Sequence, residues 1–533
     1  MRKYIYLIIL VSCVSCEKIL DKQPLDSISG SSFWRSAEDA DAGLVACYDA
    51  LQGRNRAGNF SYELMGLFDC LTPIGNSREV GYANLANGTA DARNAQVKAL
   101  WSSAYRGIVR CNDFLDHINN IIFSENRVAE KSRMIAEAKF LRALFYFQLI
   151  DQFGDIPMIL HVQTLDEAKV SRTPKKLVID SMMVDINYAI NNLQSSYPKS
   201  STGRATIGAA KTLKLKYQML LKDFAGAAIT SKEVMEMSYS LQTSFPNIFS
   251  ITNENNSEVI FDIQFISLVG DGNAFDKLYG NRSASGDGWS WIQPTLWLVD
   301  KYEVIDSNPA FTIEDPKIPV DIYKYFEGRD PRMDWTIVRP GKYFINKTGQ
   351  PVLYPYKLVN YAHSLTGMHL RKNVIEGIGG VSYDSPSNWI IFRLADVILL
   401  YAEAKTQSAH AAGTLVTDPS IYKAINDIRK RASTKLPLYS IGSLTKEQML
   451  DKIYDERIRE LAFEGWLYSD FKRWNWLDKN AGFEVKGLNI TPTTIKFNPA
   501  PLVIRNFTPN MYLFPIPQSE IDVNSSLTQN QGW

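Results

Sequence analysis

Three glutamates, Glu456, Glu460 and Glu464, stand four residues apart near the carboxyl end of the chain. On an α-helix this spacing places side chains on one face. Two carboxylates held close together are the machinery of glycoside hydrolysis. Arg457 and Arg459 lie among them, however, and arginines beside carboxylates commonly form strong charge-assisted hydrogen bonds between helices. We therefore expect ion pairs that fix helices to one another. Arg473 is a further arginine near the glutamates. We expect similar ion pairs for Glu137 with Arg142, and for Arg393 with Asp396 and Glu403.

Common catalytic and cofactor motifs are missing from the sequence. It contains no phosphate-binding glycine loop, no dinucleotide fingerprint, no Gly-x-Ser-x-Gly elbow and no His-Glu-x-x-His pattern. The five histidines, which are interpreted as ordinary surface or core residues, are His117, His161, His363, His369 and His410. We expect no enzyme activity, no cofactor and no metal. A surface glycosidase that uses Glu456 and Glu460 is the less favoured alternative.

The amino-acid composition limits the kinds of molecule that the protein is expected to bind. The chain has 533 residues, of which 45% are hydrophobic and 22% charged, as in an ordinary globular protein. Its formal net charge of +1 gives no basis for attraction to nucleic acid. Aromatic residues reach 12%, and Trp and Tyr serve both in cores and as flat binding surfaces.

The amino terminus has the pattern of a lipoprotein signal peptide. Arg2 and Lys3 precede an apolar stretch that is too short to span a bilayer, and Ser15-Cys16 follows. This predicts a signal peptide over residues 1–15 and lipidation of Cys16, with Cys13 as the alternative site. The three other cysteines are predicted to be buried free thiols, and they are Cys47, Cys70 and Cys111.

The elements that must position these groups are mostly helices. Apolar periodicity predicts a helical scaffold over about 32–240 and 389–475, in consecutive pairs that resemble tetratricopeptide repeats. The predicted helices are Val97–Ile122, Met134–Gln152, Val178–Leu193, Thr206–Leu221, Asp223–Met237, Trp389–Ala411, Pro419–Ala432 and Thr445–Trp474. A looped insertion over about 241–388 contains a strand at Glu258–Phe265, and the tail 476–533 is expected to be extended. No composition break marks a linker, so residues 16–533 are predicted to form a single body.

The chain contains a series of sequence blocks that occur in the same order in a known protein family. They are the start at Cys16–Pro24, the helix around Trp101, Tyr105, Ile108 and Asn112, the block Glu137–Pro157, then Phe326–Arg332, Phe392–Ala404, Ile425–Ala432, Glu456–Gly465, and the end from Leu513 to Trp533. With these blocks in this order, the chain resembles the SusD/RagB family of outer-membrane nutrient-binding lipoproteins. The chain departs from the family pattern at Gln531, where a proline is usual, and at its terminal Trp533.

The resemblance implies a mostly α fold, in which tetratricopeptide-like helix pairs carry a long looped insertion with short strands. It implies a protein anchored by lipid in the outer membrane and facing the cell exterior. There the protein would act as a lid on a SusC-type TonB-dependent transporter, capturing oligosaccharides for import. Peptides are the alternative ligand. A structural adaptor that binds no small ligand is a further alternative.

The matched blocks are scaffold, so candidate ligand residues are chosen from physical chemistry. Sugars lay C–H faces on aromatic rings and give their hydroxyls to polar side chains. Two predicted loops, Asp69–Asn94 and Asp271–Trp297, offer that mixture. The candidates are Arg78, Tyr82, Asn84, Asn87, Tyr279, Arg282, Trp289 and Trp291, with Phe275 and Asn281 nearby. Trp289 and Trp291 would face the same side of an extended chain.

Overall fold

A computed structural model describes residues 33–52, 60–267, 271–281, 288–346, 348–355, 364–377, 384–480, 482–491 and 493–533. Cys13, Cys16, the predicted signal peptide and Arg282 lie outside these ranges. Helices dominate the described residues, which confirms the predicted fold class. A search of those residues finds no helix with the length and apolar character that a membrane span requires.

The helices of the described ranges are numbered in chain order. They are α1 (Ala37–Asp49), α2 (Val80–Asn87), α3 (Ala95–Ile118), α4 (Val128–Phe153), α5 (Lys175–Asn192), α6 (Ile207–Leu220), α7 (Phe224–Met235), α8 (Phe275–Tyr279), α9 (Leu296–Lys301), α10 (Val320–Phe326), α11 (Arg332–Thr336), α12 (Leu394–Ala409), α13 (Pro419–Arg429), α14 (Lys446–Leu461), α15 (Leu467–Arg473) and α16 (Gln518–Val523). A 3₁₀ segment covers Tyr62–Leu71.

The strands of the described ranges are short. They are β1 (Gly75–Ser77), β2 (Val259–Ile263), β3 (Ile292–Pro294), β4 (Ile337–Val338), β5 (Tyr343–Ile345), β6 (Pro351–Leu353), β7 (His369–Leu370), β8 (Trp389–Arg393), β9 (Phe483–Val485), β10 (Leu488–Ile490), β11 (Ile495–Phe497) and β12 (Val503–Arg505). They form two-stranded antiparallel ribbons that pair β1 with β3, β2 with β8, β4 with β7, β5 with β6, β9 with β12 and β10 with β11.

The helices stack in chain order. Helices α3 to α7 each pack on the next, and α7 then packs on α12, which contacts α13 and α14. Small residues such as Ala227 let α7 approach its neighbours closely, and Asp223 caps its start by accepting the Gly226 N–H. The two helical parts predicted from the sequence are therefore in contact through α7 and α12.

Two predicted helices differ from the structure, one at its start and the other in its interior. Residues Trp389–Arg393 form strand β8, because this β-branched and aromatic stretch pairs with β2. The predicted helix Thr445–Trp474 is broken between α14 and α15, where Phe463 and Gly465 have positive φ angles of 64° and 89°. The carboxylate of Asp69 accepts the N–H groups of Gly465 and Leu467 at 3.1 and 3.0 Å, which satisfies donors at the start of α15.

Two regions predicted to be irregular are more regular than expected. The predicted loop Asp69–Asn94 contains β1 and α2, and α2 begins where the Glu79 side chain accepts the Tyr82 N–H. It ends at Gly88, whose φ of 71° suits a left-handed helix cap. The predicted extended tail contains strands β9 to β12.

The glutamates of α14 lie in a buried ion-pair network, here called the charge cluster. It comprises the cations Arg332, Lys372, Arg393, Arg429, Arg431 and Arg459 and the carboxylates Glu258, Glu303, Asp330, Glu456, Glu460 and Glu464. All except the half-buried Glu303 are buried. The cluster ties β8, α11, α13 and α14 together, which confirms the predicted structural role of the glutamates.

The other expected ion pairs form with different partners. Glu137 contacts Arg133 and Arg204, whereas Arg142 pairs with Asp185 at 2.7 Å. Asp396 pairs with Lys216 and Arg457, and Glu403 pairs with Arg473 at 2.7 Å. Helical spacing shows which side chains share a face, but not which neighbouring helix supplies the opposite charge. The cysteines Cys47, Cys70 and Cys111 are free and buried, as predicted.

Candidate ligand-binding platform

The two predicted ligand loops meet because β1 pairs with β3. In this ribbon Ser77 lies opposite Ile292 and Gly75 opposite Pro294. The Arg78 N–H continues the ladder by donating to the Trp291 carbonyl at 2.9 Å. The Arg78 guanidinium donates from Nη1 to the Trp289 carbonyl at 3.3 Å. Arg78, Trp289 and Trp291, here called the tryptophan platform, are thus linked by one main-chain hydrogen bond and by one from the Arg78 guanidinium.

The carboxyl end of α8 holds residues 289–291 in place through main-chain hydrogen bonds. The N–H groups of Trp289 and Trp291 donate to the carbonyls of Lys277 and Leu278 at 2.7 and 2.8 Å. Ser290 lies between them with a φ of 54°, so the chain turns here and is not extended as expected. The indole rings nevertheless lie side by side, with centroids 5.6 Å apart and planes inclined by 41°.

The platform presents apolar and polar surface together. Trp289 is 38% exposed, Arg78 is exposed and Trp291 is half-buried. The ammonium group of Lys277 lies 5.3 Å from the centroid of the Trp289 ring, within the range of a cation–π interaction. A ring with a fixed position and a solvent-facing surface suits the apolar face of a sugar or of a side chain.

Two predicted ligand residues are wrong because their side chains are buried. Tyr82 is on the inner side of α2, and Tyr279 is buried in α8 and donates its hydroxyl to the Glu63 carbonyl at 2.9 Å. Burial raises the pKa of both phenols well above the ordinary value. Neither ring has a face open to solvent. Phe275 and Asn281 are also buried.

Asn84 and Asn87 lie on α2 and are half-buried. The carbonyl of Asn84 is occupied by the backbone N–H of Thr89 at 2.9 Å, where the helix ends. Their helix follows β1 directly, so both remain candidates for the edge of the platform. Arg282 cannot be placed, since it lies outside the described residues.

Sequence reasoning missed the residues that support the platform. Ser290 is hydrogen-bonded to Nδ1 of His369, and Gln293 accepts the N–H of Leu365 at 3.1 Å. These contacts join β3 to the segment around β7, which is far away in the chain. The three residues of β3 are too few to give a sequence signal that identifies the partner.

The glutamates proposed for catalysis do not reach the platform or solvent. Burial opposes ionisation of Glu456, but Arg332, Arg459 and Arg429 lower its pKa to about 2. Burial likewise opposes ionisation of Glu460, whose pKa is lowered by Arg431, Arg393 and Arg332. A glycosidase acid needs a raised pKa and access to substrate. Glu456 and Glu460 have neither.

Within the described ranges, no group of three histidine, cysteine or acidic residues is arranged to hold a metal ion.

The geometry is that of a mostly helical scaffold protein with a looped face that displays aromatic and polar side chains. A family model described as the SusD family matches residues 257–533. The chain belongs to this family, as its sequence blocks predicted. A second model, described as starch-binding associating with outer membrane, matches residues 67–214.

Known proteins resemble the chain along most of its length. SusD-like protein P25 of Formosa agariphila is 26% identical, over 99% of this chain and 97% of its own. The starch-binding protein SusD of Bacteroides thetaiotaomicron is 24% identical, over 80% of this chain and 76% of its own. The crystal structure of a SusD-like carbohydrate-binding protein from Bacteroides fragilis matches with a TM-score of 0.80 and 28% identity, covering 93% of this chain and all of that one.

Proposed function

We propose that this protein captures oligosaccharides at the outer surface of the outer membrane without hydrolysing them. The observation that carries the proposal is the tryptophan platform, where two indole rings and a guanidinium are fixed side by side. Membership of the SusD family supports it, as do the relatives whose names include starch or carbohydrate binding. Burial of Glu456 and Glu460 supports the absence of hydrolysis.

The proposal includes an anchor and a partner. Lipid attached to Cys16, or to Cys13 in its place, would hold the folded body at the membrane surface. Family membership makes a SusC-type TonB-dependent transporter the expected partner, to which the captured ligand is delivered. Peptides are the second candidate ligand, because an exposed indole such as Trp289 also receives peptide side chains.

The test of capture is affinity electrophoresis of the full chain, purified in detergent, through gels that contain starch, laminarin, xylan, mannan, pectin or alginate. We expect one class of polysaccharide to retard the wild-type protein and to retard the double variant Trp289→Ala/Trp291→Ala much less. Oligosaccharides of that class are then titrated by calorimetry. A wild-type protein that no polysaccharide retards, but that binds a peptide mixture, would transfer the function to peptides.

Matched controls separate recognition from folding. Trp289→Phe keeps an aromatic face and should retain most of the binding. Ile504, an exposed apolar residue of β12, supplies a control substitution outside the platform. Loss of retardation in Ile504→Ala as well as in the double variant would contradict a specific role for the indoles.

The anchor is tested separately by metabolic labelling with radioactive palmitate. We expect Cys16→Ser to remove the label and to release the protein from the membrane fraction, while Cys13→Ser remains labelled. The reverse pattern would assign the anchor to Cys13, and label that persists in the double variant Cys13→Ser/Cys16→Ser would reject lipidation at either cysteine.

A further inference from the structure

A surface cleft lies around Trp335, in a different part of the looped region from the tryptophan platform. It has a volume of about 370 Å³, within the range of small-molecule sites. Trp335 is 42% exposed at the end of α11. The cleft is also lined by Phe249, Arg371, Asn373 and Glu376. An exposed indole beside a guanidinium is also found in the tryptophan platform, and the cleft adds an amide and a carboxylate.

Arg371 is held rigidly against Trp335. Its Nη1 donates to the Asp334 carbonyl at 3.0 Å, and its N–H donates to the Thr336 carbonyl at 2.9 Å. The guanidinium carbon is 5.5 Å from the centroid of the Trp335 ring. Arg371 is therefore hydrogen-bonded to the residue before Trp335 and to the residue after it.

A carboxylate fixes the other side of the guanidinium. Nε of Arg371 contacts Glu376 at 2.7 Å, and the second oxygen of Glu376 accepts the Ile345 N–H at 2.7 Å. Because the pair is anchored to β5, its donors and acceptors keep one arrangement without a ligand. Such preorganisation lowers the entropy that binding must overcome.

The cleft also contains polar groups that the protein does not use. Neither the Trp335 indole N–H nor the Asn373 side-chain amide makes a hydrogen bond to any described residue. Asn373 is half-buried and has a φ of 62°, a conformation that asparagine tolerates better than most residues. Both groups can therefore be satisfied by the hydroxyls of a bound molecule.

The cleft shares a support with the tryptophan platform. Asp276 of α8 accepts the Ile375 N–H at 2.8 Å and the hydroxyl of Ser385. Helix α8 also supplies the carbonyls that hold residues 289–291. The segment 371–376 and the platform are thus built on the same short helix, although their tryptophans come from different elements.

We infer that the Trp335 cleft is a second carbohydrate-binding site, which takes a neutral hexose unit of a polysaccharide. The indole receives the apolar face of the sugar, while Asn373 and the Arg371–Glu376 pair bind its hydroxyls. The inference rests on the proposed glycan function for the class of ligand, but not on the platform for its location. Two sites on one protein would bind a long polysaccharide chain more tightly than either site alone, through a high effective concentration.

The test uses full-length protein in detergent and whichever polysaccharide of the gel series retards it. Wild type, Trp335→Ala, Trp289→Ala and the double variant Trp335→Ala/Trp289→Ala are compared by gel retardation and by calorimetry with a short oligosaccharide of the same class. We expect wild type to bind two oligosaccharides per chain, each single variant one, and the double variant none. Loss of either site should weaken binding to the polysaccharide at least about tenfold.

Further variants keep the test decisive if Trp335→Ala disturbs folding. Trp335→Phe preserves a ring, and Asn373→Gly removes the amide while allowing the positive φ. We expect Trp335→Phe to retain most of the binding at this site and Asn373→Gly to lose much of it, with an unchanged far-ultraviolet circular dichroism spectrum in both variants.

The outcomes distinguish the two proposals. Unchanged stoichiometry and affinity in folded Trp335→Ala and Asn373→Gly would overturn the second site and leave the platform intact. Loss of binding in these variants but not in Trp289→Ala would uphold the second site and overturn the platform. If no polysaccharide retards the wild type, both are overturned.

Discussion

Arg393 of strand β8 donates a hydrogen bond to Glu460 of helix α14 at 2.8 Å, and both residues are buried in the charge cluster. The same guanidinium reaches Glu258 and Glu464. One arginine thus connects the strand that begins the second helical part with helix α14 near its other end. The glutamates that first suggested catalysis hold the scaffold together instead.

We therefore expect Glu460→Gln to destabilise the protein strongly. Removing one carboxylate leaves Arg332, Arg393 and Arg431 with uncompensated buried charge, which costs about 3 to 5 kcal/mol. Urea unfolding measures the loss. The control is Lys423→Met in the exposed pair of Lys423 with Asp427, where a change of about 0.5 kcal/mol or less is expected. Equal effects of the two substitutions would contradict the account of the cluster.

Acid should destabilise the protein through its buried, ion-paired carboxylates. Burial opposes ionisation of Glu456 and Asp396, but their cationic neighbours lower both pKa values to about 2, from 4.5 and 3.8. Their folded pKa values are below the unfolded ones, so this stability is complete above about pH 4.5 and is lost as the pH falls toward 2. For Glu456 it amounts to roughly 3 kcal/mol. Unfolding at pH 7, 4 and 3 should show a smaller pH dependence in Glu456→Gln than in wild type, and an identical dependence would refute the assignment.

Gly465 is required where α14 and α15 are separated. Its φ is 89°, and a Cβ atom there would lie 2.5 Å from the Met65 Cβ and 2.8 Å from the Met65 carbonyl carbon. Gly442 is the matched control, since its φ is 73° but a Cβ atom would meet nothing within 4 Å. We expect Gly442→Ala to cost about 1 to 2 kcal/mol from backbone strain. Gly465→Ala should cost about 2 kcal/mol more from the clash. Thermal unfolding compares them, and similar losses would show that Met65 moves aside freely.

Substitutions of two buried tyrosines test stability and ligand binding separately. Tyr279 donates its hydroxyl to the Glu63 carbonyl, whereas the hydroxyl of Tyr82 has no hydrogen-bond partner among the described residues. Tyr279→Phe should cost about 1 kcal/mol, and Tyr82→Phe should be neutral or slightly stabilising. Neither should alter glycan affinity, because neither ring reaches solvent. A large affinity loss in either variant would return that residue to the list of ligand contacts.

The sequence predicted the helices well where apolar spacing was regular, as in α4, α6 and α13. It failed at Trp389–Arg393, because the apolar run of a paired strand and that of a buried helix look alike without knowledge of β2. The two candidate segments are brought together by the β1–β3 pairing, and three of their residues meet in the tryptophan platform, whose ligand binding stays a prediction. Tyr82 and Tyr279 were included wrongly, since composition shows that a ring is present but not which way it points. The Trp335 cleft was missed because its residues come from segments that only folding brings together.

The pairing of β1 with β3 has a consequence for the order of events during biosynthesis. Arg78 and Trp291 come from opposite halves of the protein, so the Arg78–Trp291 hydrogen bond requires a contact of very high sequence separation. A chain emerging amino end first exposes Arg78 long before its partner exists. The tryptophan platform can therefore form only after more than half of the chain has been synthesised, so a chain that ends before Trp291 lacks it.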